Sequence, residues 1–372
     1  INMHGDLALL ASNQYSKAKR LNPAVCGSGL FMEAIEQNPV YYELAFEMPC
    51  HPDSIDLRAW LKQYATRRYG AFSPATQKAW MLLLEGPYRQ GTNGTEKSSI
   101  VTARPALDVK KSGPNAGLEI PYDPALIIRA QSLLLEDADK LSASRPYRFD
   151  LVDVQRQMMT NLGQLIHRKA AEAFRSKDRE AFTLHSGRFL GMLADMDTLL
   201  RTRSEYSFDR WLTEARSWGE TEEEKNQMER DATSLVTIWG ADGDPHIFDY
   251  SWREWAGLIN GYYLPRWQKF YTMLQQHLDE GTSYEEAGLP QIYGRETFRA
   301  NDFYHALAEW ELSYVDTYGK ARIPATEGDE IDIVKRLFKK YFKLSQEYYT
   351  DSIKLIKPSR DERTYENLGE DL

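Results

Sequence analysis

The stretch Asp150-Leu151-Val152-Asp153-Val154-Gln155-Arg156-Gln157-Met158-Met159-Thr160-Asn161-Leu162-Gly163-Gln164-Leu165-Ile166 decides the fold class. Leu151, Val154, Met158, Leu162, Leu165 and Ile166 recur at steps of three and four, with one adjacent pair, the spacing that lines one face of an α-helix. The same pattern continues on both sides. Upstream, Asp123-Pro124 opens a helix with Leu126, Ile127, Ala130, Leu133 and Leu134 on one face. Ser73-Pro74 gives a cap followed by a first-turn proline, Ala79, Trp80, Leu83 and Leu84 form the stripe, and Gly86-Pro87 ends it. Asp53 and Ser54 are placed to cap a helix through Leu57, Trp60, Leu61, Tyr64 and Ala65, stopped by Gly70. Downstream, 178–201 reads as a helix burying Phe189, Leu190, Leu193, Leu199 and Leu200, and 208–240 continues helical with the acidic run Glu220–Glu224 as a solvated end. Trp255, Leu258, Tyr262, Trp267, Phe270 and Leu274 predict a long helix from Tyr250, kinked at Pro265. A last helix runs from Asp329 to Ile356. The reading is an all-α domain over residues 51–372.

Two stretches are ambiguous in partner or exposure. The last helix sets Ile333, Val334, Leu337, Phe338, Tyr341 and Phe342 against Lys335, Arg336, Lys339, Lys340 and Lys343. A basic amphipathic helix suits a membrane surface or an acidic partner, but a solvated face on a packed helix is the simpler account. Residues 91–121, rich in Gly, Pro and Ser around the short β-like run Ile100-Val101-Thr102, read as a long surface excursion. They include the sequon Asn93-Gly94-Thr95, which matters only in a eukaryotic secretory pathway.

Composition narrows the function. The chain has 372 residues, 46 basic and 55 acidic, for a net charge of −9. That argues against a nucleic-acid backbone as partner, which calls for a basic surface. A mean hydropathy of −0.58 and the lack of a long apolar run argue against a membrane span. Cys26 and Cys50 permit one disulfide at most and exclude a four-cysteine zinc site; whether they pair is open. The 9 Trp, 22 Tyr and 14 Phe suit either sugar-binding clefts or a large helical core. None of the seven histidines forms H-x-H or H-E-x-x-H, and His305 with Glu309 lacks a third ligand, so no metal or other cofactor is expected. Asp242-Gly243-Asp244 lacks the rest of a calcium loop and reads as a turn. No G-x-S-x-G, Walker A or G-x-G-x-x-G motif occurs, which lowers hydrolase-triad and nucleotide readings.

The first 50 residues differ. Leu7–Ala18 reads as a helix, Ala24–Leu30 as a short buried strand, Glu33 follows at once, and Val40–Met48 is helical again. Helix, strand, acidic residue, helix is the closing unit of a (β/α)8 barrel, where catalytic side chains sit just past strand C-termini. Residues 1–50 are accordingly read as the end of such a barrel, and the start at Ile1 as the middle of a longer polypeptide. Glu33 lies among Leu30, Phe31, Met32, Ala34 and Ile35, a setting where a buried acid must be paired or used. An exposed acid at a helix start is the alternative.

At this level the residues resemble a known family. Gly27-x-Gly29 followed by Glu33-x-Ile35-x-Gln37-Asn38-Pro39-Val40 resembles the nucleophile segment of the α-N-acetylglucosaminidases of glycoside hydrolase family 89. The likeness continues in order through Asp56-Leu57-x-x-Trp60, Arg67-Arg68-Tyr69-Gly70, Arg104-Pro105-x-Leu107, Asp150–Val154 with Arg156-Gln157, Trp211-Leu212, Thr237-x-Trp239-Gly240, Asp249-Tyr250, Trp255–Leu258 and Tyr262-Tyr263-x-x-Arg266-Trp267. Two departures stand out. Met32 and Ala34 occupy positions where the family commonly has Pro and Gly, and Asp231-Ala232-Thr233 replaces Asn-x-Arg. The resemblance implies a retaining exo-hydrolase releasing terminal α-linked N-acetylglucosamine from glycans. Glu33 would be the nucleophile, and Trp239, Ile247 and Tyr250 would line the sugar pocket. It further implies that the acid/base glutamate belongs to the upstream barrel portion of the polypeptide, so this chain alone would be inactive. A secreted or periplasmic bacterial location would follow, or a lysosomal one in a eukaryote. A non-catalytic glycan-binding scaffold derived from that family is the second reading.

Overall fold

The computed structural model describes residues 2–31, 38–89, 98–112, 117–239, 249–284, 286, 301–320 and 326–349. Its α-helices, among these residues, are α1 (Leu7–Ala11), α2 (Gln14–Leu21), α3 (Pro39–Glu47), α4 (Leu57–Tyr69), α5 (Pro74–Glu85), α6 (Ala125–Glu136), α7 (Arg145–Arg175), α8 (Arg179–Leu200), α9 (Phe208–Arg216), α10 (Glu222–Leu235), α11 (Leu264–Glu280), α12 (Asp302–Asp316) and α13 (Glu330–Tyr348). No β-ladder longer than an isolated bridge occurs among them. The all-α reading holds.

The 150–166 stripe lies inside α7, a 31-residue helix that begins earlier than its apolar pattern suggests, with Pro146 in the first turn. Nearly every residue from Phe149 to Gly163 is buried, because α4, α6, α8 and α13 all pack on α7. Helix α8 returns beside it after a three-residue turn capped by Asp178. Gly163 sits where α7 is tightly packed on its neighbours. A Cβ there would come 3.2 Å from Ile100 Cγ2 and closer still to the flexible end of Met192. One continuous core runs from Met3 and Leu7 to Tyr341 and Tyr349, and within it Trp267 is fully buried against His167, Phe189 and Tyr271.

Several expectations are corrected. The first helix is two. Asn13 adopts φ 56°, caps α2 through Ser16 N–H, and donates to the carbonyls of Met48, His51 and Asp53. Its amide therefore ties the break to the turn before α4. The cap of α4 is Asp56 rather than Asp53 or Ser54, and Gly70 at φ 76° ends the helix in the left-handed conformation that glycine adopts without penalty. Residues 24–30 are not a strand. They are mostly exposed, no other strand is present among the described residues to pair with them, and Cys26 and Cys50 are both free. An unpaired strand has no ladder to satisfy its backbone.

Residues 98–107 do not cross the surface. Ser98 through Ala106 are buried, and Arg104 is fully so. The segment substitutes protein partners for water. Arg266 Nη2 donates to Thr102 O at 2.7 Å, Trp267 Nε1 to Val101 O at 3.3 Å, and Ser99 Oγ to Glu254 at 2.5 Å. Polar composition was the misleading cue, because buried polar groups are tolerated when each is hydrogen-bonded. Helices α9 and α10 are separate, the acidic run forming the start of α10 with a Thr221/Glu224 capping box. Pro265 lies within an unbroken helical run, 258–280. A π-helical turn, Ile259–Tyr263, immediately precedes α11, and Pro265 is the second residue of α11. On α13 the inward and basic faces are as expected, with Lys335 paired to Asp139 and Lys340 to Asp195 across neighbouring helices. The sequon, Asp242–Asp244 and residues 350–372 lie outside the described residues.

His167 provides a pH probe of this core. Burial lowers its imidazole to about 4. A folded-state value below the unfolded one means the unfolded chain binds more protons between about pH 6.5 and 4, so stability is present above that window and lost as pH falls through it. The contribution is on the order of 3 kcal/mol. His167→Gln, which keeps an amide toward Tyr271, is expected to flatten the decline in melting temperature between pH 7 and 5. An unchanged decline would refute the assignment.

Candidate functional site

The two expected sugar-contacting aromatics meet. Trp239 and Tyr250, eleven positions apart, have ring centroids 4.8 Å apart with planes inclined by 50°, and both are half-buried. Ile247 and the expected nucleophile Glu33 lie outside the described residues. What flanks Glu33 on its C-terminal side is fixed. Asn38 is buried at φ 55°, its Oδ1 accepts from Tyr88 OH at 3.0 Å and His4 N at 3.1 Å, and α3 starts from it.

The aromatic pair stands at the two ends of residues 240–248, on a neck whose strands of chain are clasped. Trp239 (φ 45°) and Asp249 (φ 50°) both occupy the left-handed region, where a non-glycine residue costs on the order of 1 kcal/mol and persists only if its surroundings hold it. They do. Trp239 N–H donates to Ser234 O at 2.7 Å, and Asp249 N–H reaches across to Thr237 O at 2.8 Å. Tyr263 OH, presented by the π-helical turn, accepts from Arg253 N–H and donates to Val236 O, both at 3.4 Å, so it touches both sides of the neck.

Beneath the neck lies a fully buried ionic cluster. Arg266 Nη1 is 3.0 Å from Asp249 and 3.1 Å from Glu311 of α12, and Arg104 Nη2 is 3.0 Å from Glu311. Two guanidiniums thus face two carboxyl groups. The rings of Tyr262 and Tyr263 lie 4.5 and 5.2 Å from the Arg266 guanidinium. Burial lifts the Asp249 carboxyl to about 7, against the pull of Arg266 and with a further push from Glu311. A second buried cluster joins Asp153, Arg156 and Glu254, with Tyr206 OH on Asp153 and Thr160 on Glu254, each at 2.9 Å. Among the described residues no group of three or more His, Cys, Asp or Glu is placed to hold a metal, and His305 and Glu309 form an exposed contact at 3.3 Å. No helix among them is long and apolar enough to cross a membrane.

Sequence reasoning gave Arg104, Asp249 and Arg266 no role, although all three stand within the family-like motifs. Glu311 carried no signal at all, since an acid in the middle of an amphipathic helix reads as solvent-facing until its neighbour is known.

This architecture is that of the helical part of family 89 glycoside hydrolases. A family 89 glycoside hydrolase from Clostridium perfringens in complex with PUGNAc superposes with a TM-score of 0.80 at 26% identity, covering 91% of this chain and 38% of that one. A variant of the clostridial enzyme with two glutamates replaced by glutamine, in complex with its substrate GlcNAc-alpha-1,4-galactose, gives 0.81 over 93% of this chain. Human alpha-N-acetylglucosaminidase is 32% identical over 344 residues, 90% of this chain and 43% of its own length. The description "Alpha-N-acetylglucosaminidase (NAGLU) C-terminal domain" matches residues 60–340, and the chain belongs to that family. It spans less than half the length of these relatives.

Arg266→Met is expected to destabilise the protein by about 3–5 kcal/mol, because it leaves Asp249 and Glu311 buried with one cation fewer. Denaturant unfolding measures this. A loss below about 1 kcal/mol would show the cluster to be energetically idle.

Proposed function

We propose that this chain is part of a retaining exo-α-N-acetylglucosaminidase. Residues 1–50 would complete the (β/α)8 barrel and residues 51–372 form the helical domain packed on it. Glu33 attacks the anomeric carbon of a terminal α-linked N-acetylglucosamine, the glycosidic oxygen leaves with a proton from the acid/base carboxyl, and water then hydrolyses the glycosyl ester. In retaining enzymes the two carboxyls stand about 5–5.5 Å apart. The acid/base partner is assigned to the barrel portion of the polypeptide, so the isolated chain is inactive. Trp239 packs an indole face on the sugar C–H groups, Tyr250 adds a phenol, and Ile247 lines the same pocket. The mechanism calls on no metal or organic cofactor, and the enzyme works in a secreted or periplasmic compartment, or in the lysosome of a eukaryote.

The observation that carries this reading is the clostridial relative bound to GlcNAc-alpha-1,4-galactose, matched over 93% of this chain. The meeting of Trp239 and Tyr250 supports it. The test is release of the aryl group from an aryl α-N-acetylglucosaminide by the complete polypeptide, beside Glu33→Ala with and without azide. Activity in wild type, reduced by several orders of magnitude in the variant and partly restored by azide, is expected for a lost nucleophile. Absence of activity in folded wild type would leave a glycan-binding scaffold, and unchanged activity in Glu33→Ala would remove that residue from the reaction.

A further inference from the structure

We propose that Asp249 is the positioning residue of the Trp239–Tyr250 pair, its side chain anchored on Arg266 in the core and its own N–H clasping Thr237 across the neck. The inference rests on the glycosidase reading above. Its geometry is independent of it. Asp249 does both jobs, anchoring in the core and clasping the neck. Its carboxylate takes two contacts from Arg266 Nη1, at 3.0 and 3.3 Å. Arg266 is itself buried and held by Thr102 O at 2.7 Å and Glu311 at 3.1 Å. The Asp249 backbone, at φ 50°, is turned so that its N–H meets Thr237 O at 2.8 Å. Thr237 is fixed in turn by its hydroxyl on Thr233 O at 2.7 Å, two residues before Trp239. Tyr250 is the next residue after Asp249. Both aromatic anchors are therefore referred to one buried guanidinium, and a shift at Asp249 displaces Tyr250 directly and Trp239 through Thr237. A pocket that binds a rigid pyranose by shape is sensitive to displacements of about 1 Å.

The test uses the complete polypeptide. KM and kcat for the aryl α-N-acetylglucosaminide are compared in wild type, Asp249→Asn, Asp249→Ala and Arg68→Met, and hydrogen exchange is followed over residues 236–252. Asparagine tolerates the left-handed conformation and retains an acceptor for Arg266, whereas alanine keeps neither. KM is expected to rise about threefold in Asp249→Asn and about tenfold or more in Asp249→Ala, with kcat changing less. Exchange should quicken over 236–252 and little elsewhere. Arg68→Met breaks a different bridge, to Asp150 at 2.7 Å, and should lower the melting temperature with KM and local exchange as in wild type. If Asp249→Ala does not fold, Asp249→Asn decides. An active wild type with unchanged KM and exchange in the Asp249 variants overturns the positioning role, as does an equal rise in Arg68→Met. An inactive wild type overturns the glycosidase reading instead.

Discussion

The Arg266 guanidinium binds together chain segments that would otherwise have no reason to meet. It contacts the backbone of the 98–107 segment at Thr102, the neck of the aromatic pair at Asp249, and α12 at Glu311. Each of these partners is fully buried. A buried cation without partners is prohibitively costly, so these segments must arrive together for the core to close. The π-helical turn before α11 belongs to the same constraint. It places Tyr262 and Tyr263 side by side over the guanidinium and sends Tyr263 OH to both sides of the neck.

The domain is organised as helices outside and polar clusters within. Asp150 with Arg68 and Tyr69 locks α4 to α7. Asp153, Arg156 and Glu254 lock α7 to the 98–107 segment and to the chain before α11. Such clusters add little net stability compared with apolar packing, but each is severe on mispairing, since removing one partner strands a charge. They specify which helices meet. The aromatic pair inherits its position from this arrangement.

The family, the fold and the meeting of Trp239 with Tyr250 rest on direct correspondence and geometry. Glu33 and Ile247 rest on motif alone. The free cysteines, Cys26 and Cys50, leave the exposed 22–31 stretch without a covalent tether, and Phe31, wholly exposed beside the Glu33 segment, is an apolar surface without a partner in the core cluster.

By itself the sequence determined where helices form and which way they face. Periodicity, caps and stops are local, so α5 from Ser73-Pro74, α8 from Asp178 and the two faces of α13 were legible, as was the family through motifs such as Thr237-x-Trp239 and Asp249-Tyr250. Tertiary structure alone decided the rest. Residues 98–107 look like a surface loop because their polar atoms are visible in sequence and their partners, Arg266, Trp267 and Glu254, lie at least 150 positions away. Asn13 breaks a helix for carbonyls some 35–40 positions on. Glu311 is an ordinary helix acid until Arg104 and Arg266 face it. Long-range pairing of buried charge leaves no periodic trace in the chain, because the energy of a buried ion depends on what surrounds it rather than on what precedes it.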